Sequence, residues 1–360
     1  MTSLSLLSRF KGALVGAVLG DCIGAYFEFE WAPSIEKEKI VNLVNKIEAE
    51  SKKDKKKKVW EFTDDTAMTR SVARSLIAHP DFSSVDMAKK FTEEYHKEPD
   101  RGYGNAVITI FEKLKASDYK DIYKPASEQF DGQGSYGNGG AMRISPAPLL
   151  AQREEDNDKI TKIELTDKIT RLTHTHRDAI NGAVMQSLAI NLALKCHEEV
   201  DIDNFVDTLK SDMAKVEEKS RSKLPKPDTE DGAEVEEFPY CKVLETVREY
   251  AKQEQKPDMK DINDNLGTEI SALKSVPAAL FSFLRASKYG DDFKDRNPFE
   301  RTMMLSISLG GDTDTIATMA GAIAGACYGI NVIPESWQTC CEGVSDAIEF
   351  AEELHKLQGK

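Results

Sequence analysis

Two short stretches set carboxylates and hydroxyls side by side at the start of an apolar helical pattern: Phe62-Thr63-Asp64-Asp65-Thr66-Ala67-Met68 and Ser308-Leu309-Gly310-Gly311-Asp312-Thr313-Asp314-Thr315. Each alone reads as helix capping, because Thr at an N-cap and Asp in a first turn satisfy free backbone N–H groups and suit the helix dipole. Capping explains the second stretch less well, since its carboxylates lie between strongly apolar segments and buried carboxylates need partners. A hard cation such as Mg²⁺ or Ca²⁺ is such a partner: it takes oxygen ligands and cancels the repulsion between neighbouring Asp residues. An EF-hand is excluded by Ile316 at the fifth loop position and Ala317 where that loop requires glycine. Zinc is disfavoured, for there is no HExxH and no Cys/His cluster, and Thr173-His174-Thr175-His176 reads as a polar loop.

A third stretch, Asp131-Gly132-Gln133-Gly134-Ser135-Tyr136-Gly137-Asn138-Gly139-Gly140-Ala141-Met142-Arg143, contains GxGxxG, but no strand precedes it and no βαβ unit surrounds it. A Rossmann site does not fit, and the absence of Gly-Lys-Ser/Thr excludes a P-loop. Glycines that let backbone N–H groups approach an anion, followed by a helix N-terminus, leave phosphate binding open beside the plainer reading of a flexible loop. The run Lys52-Lys53-Asp54-Lys55-Lys56-Lys57-Lys58 reads as solvated, or as a patch steering a polyanion toward Thr63.

The elements that must carry these groups are helical. Val85, Ala88, Phe91 and Tyr95 form one stripe and Met68, Val72 and Leu76 another. Further helical stretches cover 178–197, 242–252, 275–286, 314–328 and 334–357, and no alternating strand is found, so the fold class is all-α. Small residues crowd 12–17 and 320–326, where glycine costs roughly 1 kcal/mol against alanine; close backbone packing is the compensation, which makes these the central helices. The polar segments 51–58 and 219–237 read as exposed loops. Neither an internal repeat nor a domain linker is seen.

Composition narrows the function. The chain of 360 residues is 40% hydrophobic and 31% charged, which suits a globular protein. With 62 acidic against 48 basic residues and net charge −14, nonspecific nucleic-acid binding is not expected. The longest apolar stretch, 13–19, is broken by Gly16 and followed by Asp21, too short for a membrane span. Six cysteines without a CxxC pair point to a reducing compartment.

Together with Gly20-Asp21-Cys22-Ile23-Gly24-Ala25-Tyr26-Phe27-Glu28, the three motifs resemble the ADP-ribosylhydrolase (ADP-ribosylglycohydrolase) family over nearly the whole chain. Glu28, the Gly-Ser-Tyr-Gly-Asn-Gly-Gly run and Asp-Thr-Asp-Thr-Ile-Ala-Thr-Met-Ala-Gly-Ala look closest to its vertebrate serine-directed branch, which also degrades poly(ADP-ribose). The resemblance implies a single orthogonal helical domain over 1–360 with a central pair of Mg²⁺ ions, held by Thr63, Asp64, Asp65, Asp312, Asp314 and Thr315, with Glu28 able to approach them as a gate. It further implies that Gln133, Gly134, Ser135, Gly137, Asn138 and Gly139 hold the diphosphate and adenosine side, that Phe130 and Tyr136 face the adenine, and that His174 and Ile270 line the ligand. Glu28 and Asp314 are the catalytic candidates.

The implied reaction is metal-assisted hydrolysis of the O-glycosidic bond of ADP-ribosylated serine, with poly(ADP-ribose) and O-acetyl-ADP-ribose as further substrates. Implied partners are ADP-ribosylated proteins such as histones, with ADP-ribose as product and no direct nucleic-acid or membrane specificity; implied compartments are nucleus, cytoplasm and the mitochondrial matrix. An ADP-ribosylarginine hydrolase of the same family and a noncatalytic ADP-ribose binder or structural protein on this fold are the alternatives. The stretch 36–60 matches no motif and is expected to form a flexible flap around Glu28.

Overall fold

Gly12, Gly16, Gly20 and Gly24 recur every fourth residue, which on an α-helix places them in one bare row. In the computed structural model of the chain, which describes residues 4–28, 33–53, 58–153, 159–196, 199–221 and 236–359, that row belongs to the helix Leu6–Gly24. It meets the helix Thr313–Tyr328 running the opposite way. A Cβ on Gly12 would stand 2.2 Å from the Gly325 carbonyl oxygen, on Gly16 2.1 Å from that of Gly321, on Gly20 2.3 Å from that of Ala317 and on Gly24 2.5 Å from that of Thr313. Backbone therefore packs on backbone along both helices, and this is the most extensive helix contact among the described residues.

Other helices sheathe this pair. Val344–Lys356 packs on the first helix; Pro298–Ser308 and Ala272–Lys288 pack on Thr313–Tyr328 and on each other; Arg177–Ala193 touches both Ala272–Lys288 and Thr313–Tyr328. One cluster of buried apolar side chains runs from Phe10 to Leu354. The all-α expectation holds: the described residues contain no named strand, only isolated bridges pairing Trp60 with Cys341 and Gly137 with Ser271. No helix among them is long and apolar enough to cross a membrane.

Several expected boundaries shift. The stretch 334–357 is not one helix but Glu335–Cys340 and Val344–Lys356. Between them Cys341 pairs with Trp60, and Gly343 sits at φ +81°, a left-handed conformation that a continuing helix does not contain. The stretch 178–197 leaves helix after Ala193. Residues 219–221 close the helix Ile202–Arg221 rather than opening a loop, and 222–235 lie outside the described residues. Of the two sequence stripes, Met68, Val72 and Leu76 are buried, as are Ala88 and Phe91, whereas Val85 is exposed. Within 36–60, Lys37–Ser51 forms a helix with Ile40, Leu43, Val44 and Ile47 in the core. Of the lysine run, 54–57 lie outside the described residues.

Gly16→Ala gains roughly 1 kcal/mol of helix propensity, yet the added methyl meets backbone that cannot step aside. It is expected to lower stability by about 1–3 kcal/mol, the usual cost of overpacking a core. Gly104→Ala, at a position with nothing within 4 Å and an ordinary negative φ, should stay within about 0.5 kcal/mol. Urea denaturation of the two variants measures the contrast.

Candidate active site

The first helix ends in a buried acid. Asp21 has no solvent exposure, and its carboxylate accepts the backbone N–H of Thr63 at 2.9 and 3.0 Å and that of Thr66 at 2.9 Å. It thus caps, from another element, the N-terminus of Asp64–Ala78, which Thr63 caps from within by accepting the Asp65 N–H at 3.4 Å. The approach to this turn is clamped as well. Arg101 donates to both Glu342 carboxylate oxygens at 2.8 and 2.9 Å and to the Phe62 carbonyl at 3.1 Å, with its guanidinium 3.9 Å from the Phe62 ring centre.

The second motif arrives from the far end of the chain. Gly310 and Gly311 take φ +74° and +68°, and a Cβ on Gly311 would lie 2.2 Å from the Thr268 carbonyl oxygen, so this turn requires glycine. The Asp312 N–H then bonds that same oxygen at 2.8 Å, and the Thr313 hydroxyl donates to the Gly24 carbonyl at 2.9 Å. Across the join the Thr315 hydroxyl donates to Asp65 Oδ1 at 3.3 Å, a direct contact between stretches 250 residues apart.

The meeting point is strongly acidic. Burial, then the charge of Asp21, pushes the Asp64 and Asp65 carboxyls well above the usual carboxylate range. Burial, then Asp312 and Asp65, does the same to Asp314. Glu28, half-buried, is raised by burial and by Asp312 and Asp21. Asp64 keeps some solvent contact, whereas Asp65 and Asp314 are buried, and Asp65 Oδ2 and Asp314 Oδ1 have no hydrogen-bond partner. Among the described residues no three His, Cys, Asp or Glu side chains form a ready-made metal cluster. The convergence consists instead of Asp and Thr oxygens in one another's fields, a donor set that suits a hard cation.

The glycine-rich loop adjoins this centre. Phe130 and Asp131 both hold positive φ, a rare pair for side-chain-bearing residues, and Gly134, at φ +75°, packs where a Cβ would strike the Thr175 hydroxyl at 2.0 Å. The Tyr136 carbonyl accepts from Ala272 N–H at 3.1 Å and the Ile270 carbonyl from Asn138 N–H at 2.9 Å, fixing the loop to the segment before Ala272–Lys288. Asn138, expected on the nucleotide, spends its side-chain amide within the protein, donating to Asp312 Oδ2 at 2.6 Å and Ser275 at 3.0 Å. Gly137 and Gly139 lie over the His174 ring, whose Nδ1 meets the Thr173 hydroxyl at 2.7 Å. Burial and the Arg143 guanidinium push His174 down to about 3, so it is neutral at physiological pH. Phe130, Tyr136 and Ile270 expose half or more of their surface, Gln133 is exposed and Ser135 half-buried. Beyond Gln133 opens a cavity of about 1010 Å³ reaching His176, Arg171 and Lys219, adjacent to the loop but not at the carboxylates.

Two residues of consequence were not assigned a role from sequence. Asp21 was visible as a lone acid in an apolar helical stretch. Arg143, fully buried, donates to the Gly139 carbonyl and Thr173 hydroxyl, each at 2.7 Å, and fixes the far side of the loop.

The sequence matches the profile of ADP-ribosylglycohydrolase over residues 2–360. The chain belongs to the ADP-ribosylglycohydrolase family. It is 42% identical to ADP-ribosylhydrolase ARH3 of Xenopus tropicalis, across 98% of this chain and 96% of that protein, and 40% identical to ADP-ribosylhydrolase ARH3 of Homo sapiens, across 98% and 94%. A solved structure titled ADP-ribosylglycohydrolase-related protein complex superimposes with TM-score 0.63 at 20% identity, covering 98% of this chain and 99% of that one, a likeness of fold. Within this family member the four motifs lie where the two central helices end.

Because Asp65 is raised, the folded state without divalent cations holds its proton at pH values where the unfolded chain has released it. Stability from this group is therefore present below about the ordinary value of 3.8 and is lost as pH rises through the folded value. Asp65→Asn removes that loss. In chelator it is expected to exceed wild type by roughly 1–3 kcal/mol at neutral pH, the gain shrinking toward the acid end of a thermal-melt series.

Proposed function

We propose that the chain is a divalent-cation-dependent ADP-ribosylhydrolase that cleaves the O-glycosidic bond of ADP-ribosylated serine in proteins, histones among them, and also accepts poly(ADP-ribose) and O-acetyl-ADP-ribose. ADP-ribosylhydrolase activity accords with some 40% identity to relatives of that name over nearly their whole length. The observation that carries the reading is the Thr315–Asp65 hydrogen bond, which closes the two carboxylate motifs on each other while leaving one oxygen each of Asp65 and Asp314 buried without a partner.

In this proposal Thr63, Asp64, Asp65, Asp312, Asp314 and Thr315 hold Mg²⁺, which when bound supplies charge stabilisation and orients the ribose hydroxyls. The protein's own groups do the rest. Phe130 and Tyr136, already exposed, stack on the adenine; the loop from Gln133 to Gly139 receives the diphosphate through backbone N–H groups other than those of Gln133, Gly134, Gly137 and Asn138, which are bonded within the protein; Ile270 and His174, the latter a neutral wall that repels no cation and attracts no stray anion, bound the pocket. Glu28, whose carboxyl is raised toward the pH at which a base works best, takes a proton from the attacking water. Water oxygen joins the anomeric carbon as the serine oxygen leaves and picks up a proton, giving free ADP-ribose and unmodified serine. An unaided glycosidase needs two free carboxylates flanking the bond; here Glu28 is the one not tied to the paired motifs.

The deciding experiment incubates serine- and arginine-linked ADP-ribosyl peptides with the protein and Mg²⁺ and follows products by mass spectrometry. Serine release is expected, with no arginine release, and Asp312→Ala or a chelator should abolish it. Arginine release alone would overturn the serine assignment; no release from either would leave the fold as a binder. Glu28→Gln is expected to lower kcat by about 10²–10⁴-fold, the range for removing a general base, while still binding ADP-ribose. Tyr136→Ala should raise KM roughly tenfold with kcat kept, since stacking on one base is worth about 1–3 kcal/mol.

A further inference from the structure

Away from the carboxylates, at the opposite end of the Thr313–Tyr328 helix, Arg9 reaches into the gap between two helix C-termini. Its Nη1 donates to the carbonyls of Ala193 and Ala326, each at 3.2 Å, and of Cys327 at 2.6 Å, and its Nη2 donates to the carbonyl of Cys196 at 2.5 Å. One guanidinium thus gathers the backbone carbonyls of two cysteines distant in sequence, and each thiol lies within the electrostatic influence of the other. None of the six cysteines is in a disulfide, and Cys196 alone among them is not buried. It sits just past the end of Arg177–Ala193, where an oxidant can arrive from solvent.

The chemistry of the two sulfurs differs in the way that stepwise oxidation needs. The neighbouring Cys327 thiol, aided by the Arg9 charge, draws Cys196 below the ordinary thiol range, while Cys196 and burial push Cys327 up. A thiolate is the nucleophile toward peroxide, and a nearby second thiol resolves the sulfenic acid before it is oxidised further. A second pair offers the contrast. Cys22 and Cys341 also influence each other, but both are buried, and burial followed by Cys341 raises the Cys22 thiol well above its usual range. That pair lacks access from solvent, and Cys22 is held in its thiol form.

We propose that Cys196 and Cys327 are a reversible, peroxide-responsive dithiol. The Cys196 thiolate attacks one oxygen of a hydroperoxide, breaking the O–O bond and giving a sulfenic acid and, for hydrogen peroxide, water once the departing hydroxide is protonated. Cys327 sulfur then attacks the sulfenic sulfur, and a second water leaves with the Cys327 proton, so two thiols and one peroxide yield one disulfide and two waters. The bond joins the ends of Arg177–Ala193 and Thr313–Tyr328 that Arg9 already holds together, and it constrains the unfolded chain across most of its C-terminal half. It is independent of the substrate assignment, because its readout is covalent.

The test treats the full-length protein with hydrogen peroxide, alkylates remaining thiols after unfolding, and maps peptides without reduction. An intramolecular Cys196–Cys327 peptide is expected, removed by dithiothreitol and absent from Cys196→Ser and Cys327→Ser, with Cys22 and Cys341 alkylated throughout. The oxidised wild type should melt at a higher temperature than the reduced protein. Sulfinic or sulfonic Cys196 beside an alkylated Cys327, a disulfide only between chains, or faster loss of the Cys22 and Cys341 thiols would each overturn the proposal. Because wild type itself gives the decisive map, poor folding of Cys327→Ser, whose side chain is buried, leaves the outcome readable.

Discussion

Two helices that touch through bare backbone govern this protein. The row of glycines from Gly12 to Gly24 lets Leu6–Gly24 lie against Thr313–Tyr328 at a separation no larger residue permits. The approach fixes more than the core. Asp21 lies near the end of one helix and Asp312 to Thr315 at the start of the other, so the same contact that buries apolar surface delivers acids from opposite ends of the chain to one place. The Thr313 hydroxyl on the Gly24 carbonyl ties the two ends at the last step.

Delivering acids in this way works against stability. Removing several carboxylates from water raises the free energy of their charged forms, and their mutual repulsion raises it again. Only some of this is offset within the protein. Asp21 recovers hydrogen bonds from Thr63 and Thr66, and Asp65 one from Thr315, but an oxygen on Asp65 and another on Asp314 remain unmatched. A fold under selection for stability alone would place apolar side chains or amides there. Buried carboxylates lying in one another's fields where two motifs meet are the arrangement expected of a binding site.

Sequence reasoning reached the architecture and the acid-bearing positions because both leave local signals. Small residues at helical spacing exposed the central pair, and Asp or Thr at a helix start is informative whether it caps or ligates. Other features depend on partners far along the chain and leave no such trace. Asp21 could be seen, but not the Thr63 and Thr66 amides it receives; Arg143 could be seen, but not the Gly139 carbonyl beneath it. The break at Gly343 was missed because the flanking residues keep helical periodicity on both sides, while the Trp60 pairing that interrupts them comes from elsewhere.

The bond from Asn138 to Asp312 gives the glycine-rich loop and the acidic centre a shared component. An amide committed to a carboxylate at 2.6 Å cannot turn toward a nucleotide without altering the charge environment of that carboxylate. Two ligands that each bias one such hydrogen bond acquire a common coupling free energy, and it is reciprocal: the factor by which an ion at Asp312 changes affinity for a nucleotide equals the factor by which the nucleotide changes affinity for the ion. Were an ion and a nucleotide to occupy these two places, that one side chain would link their affinities.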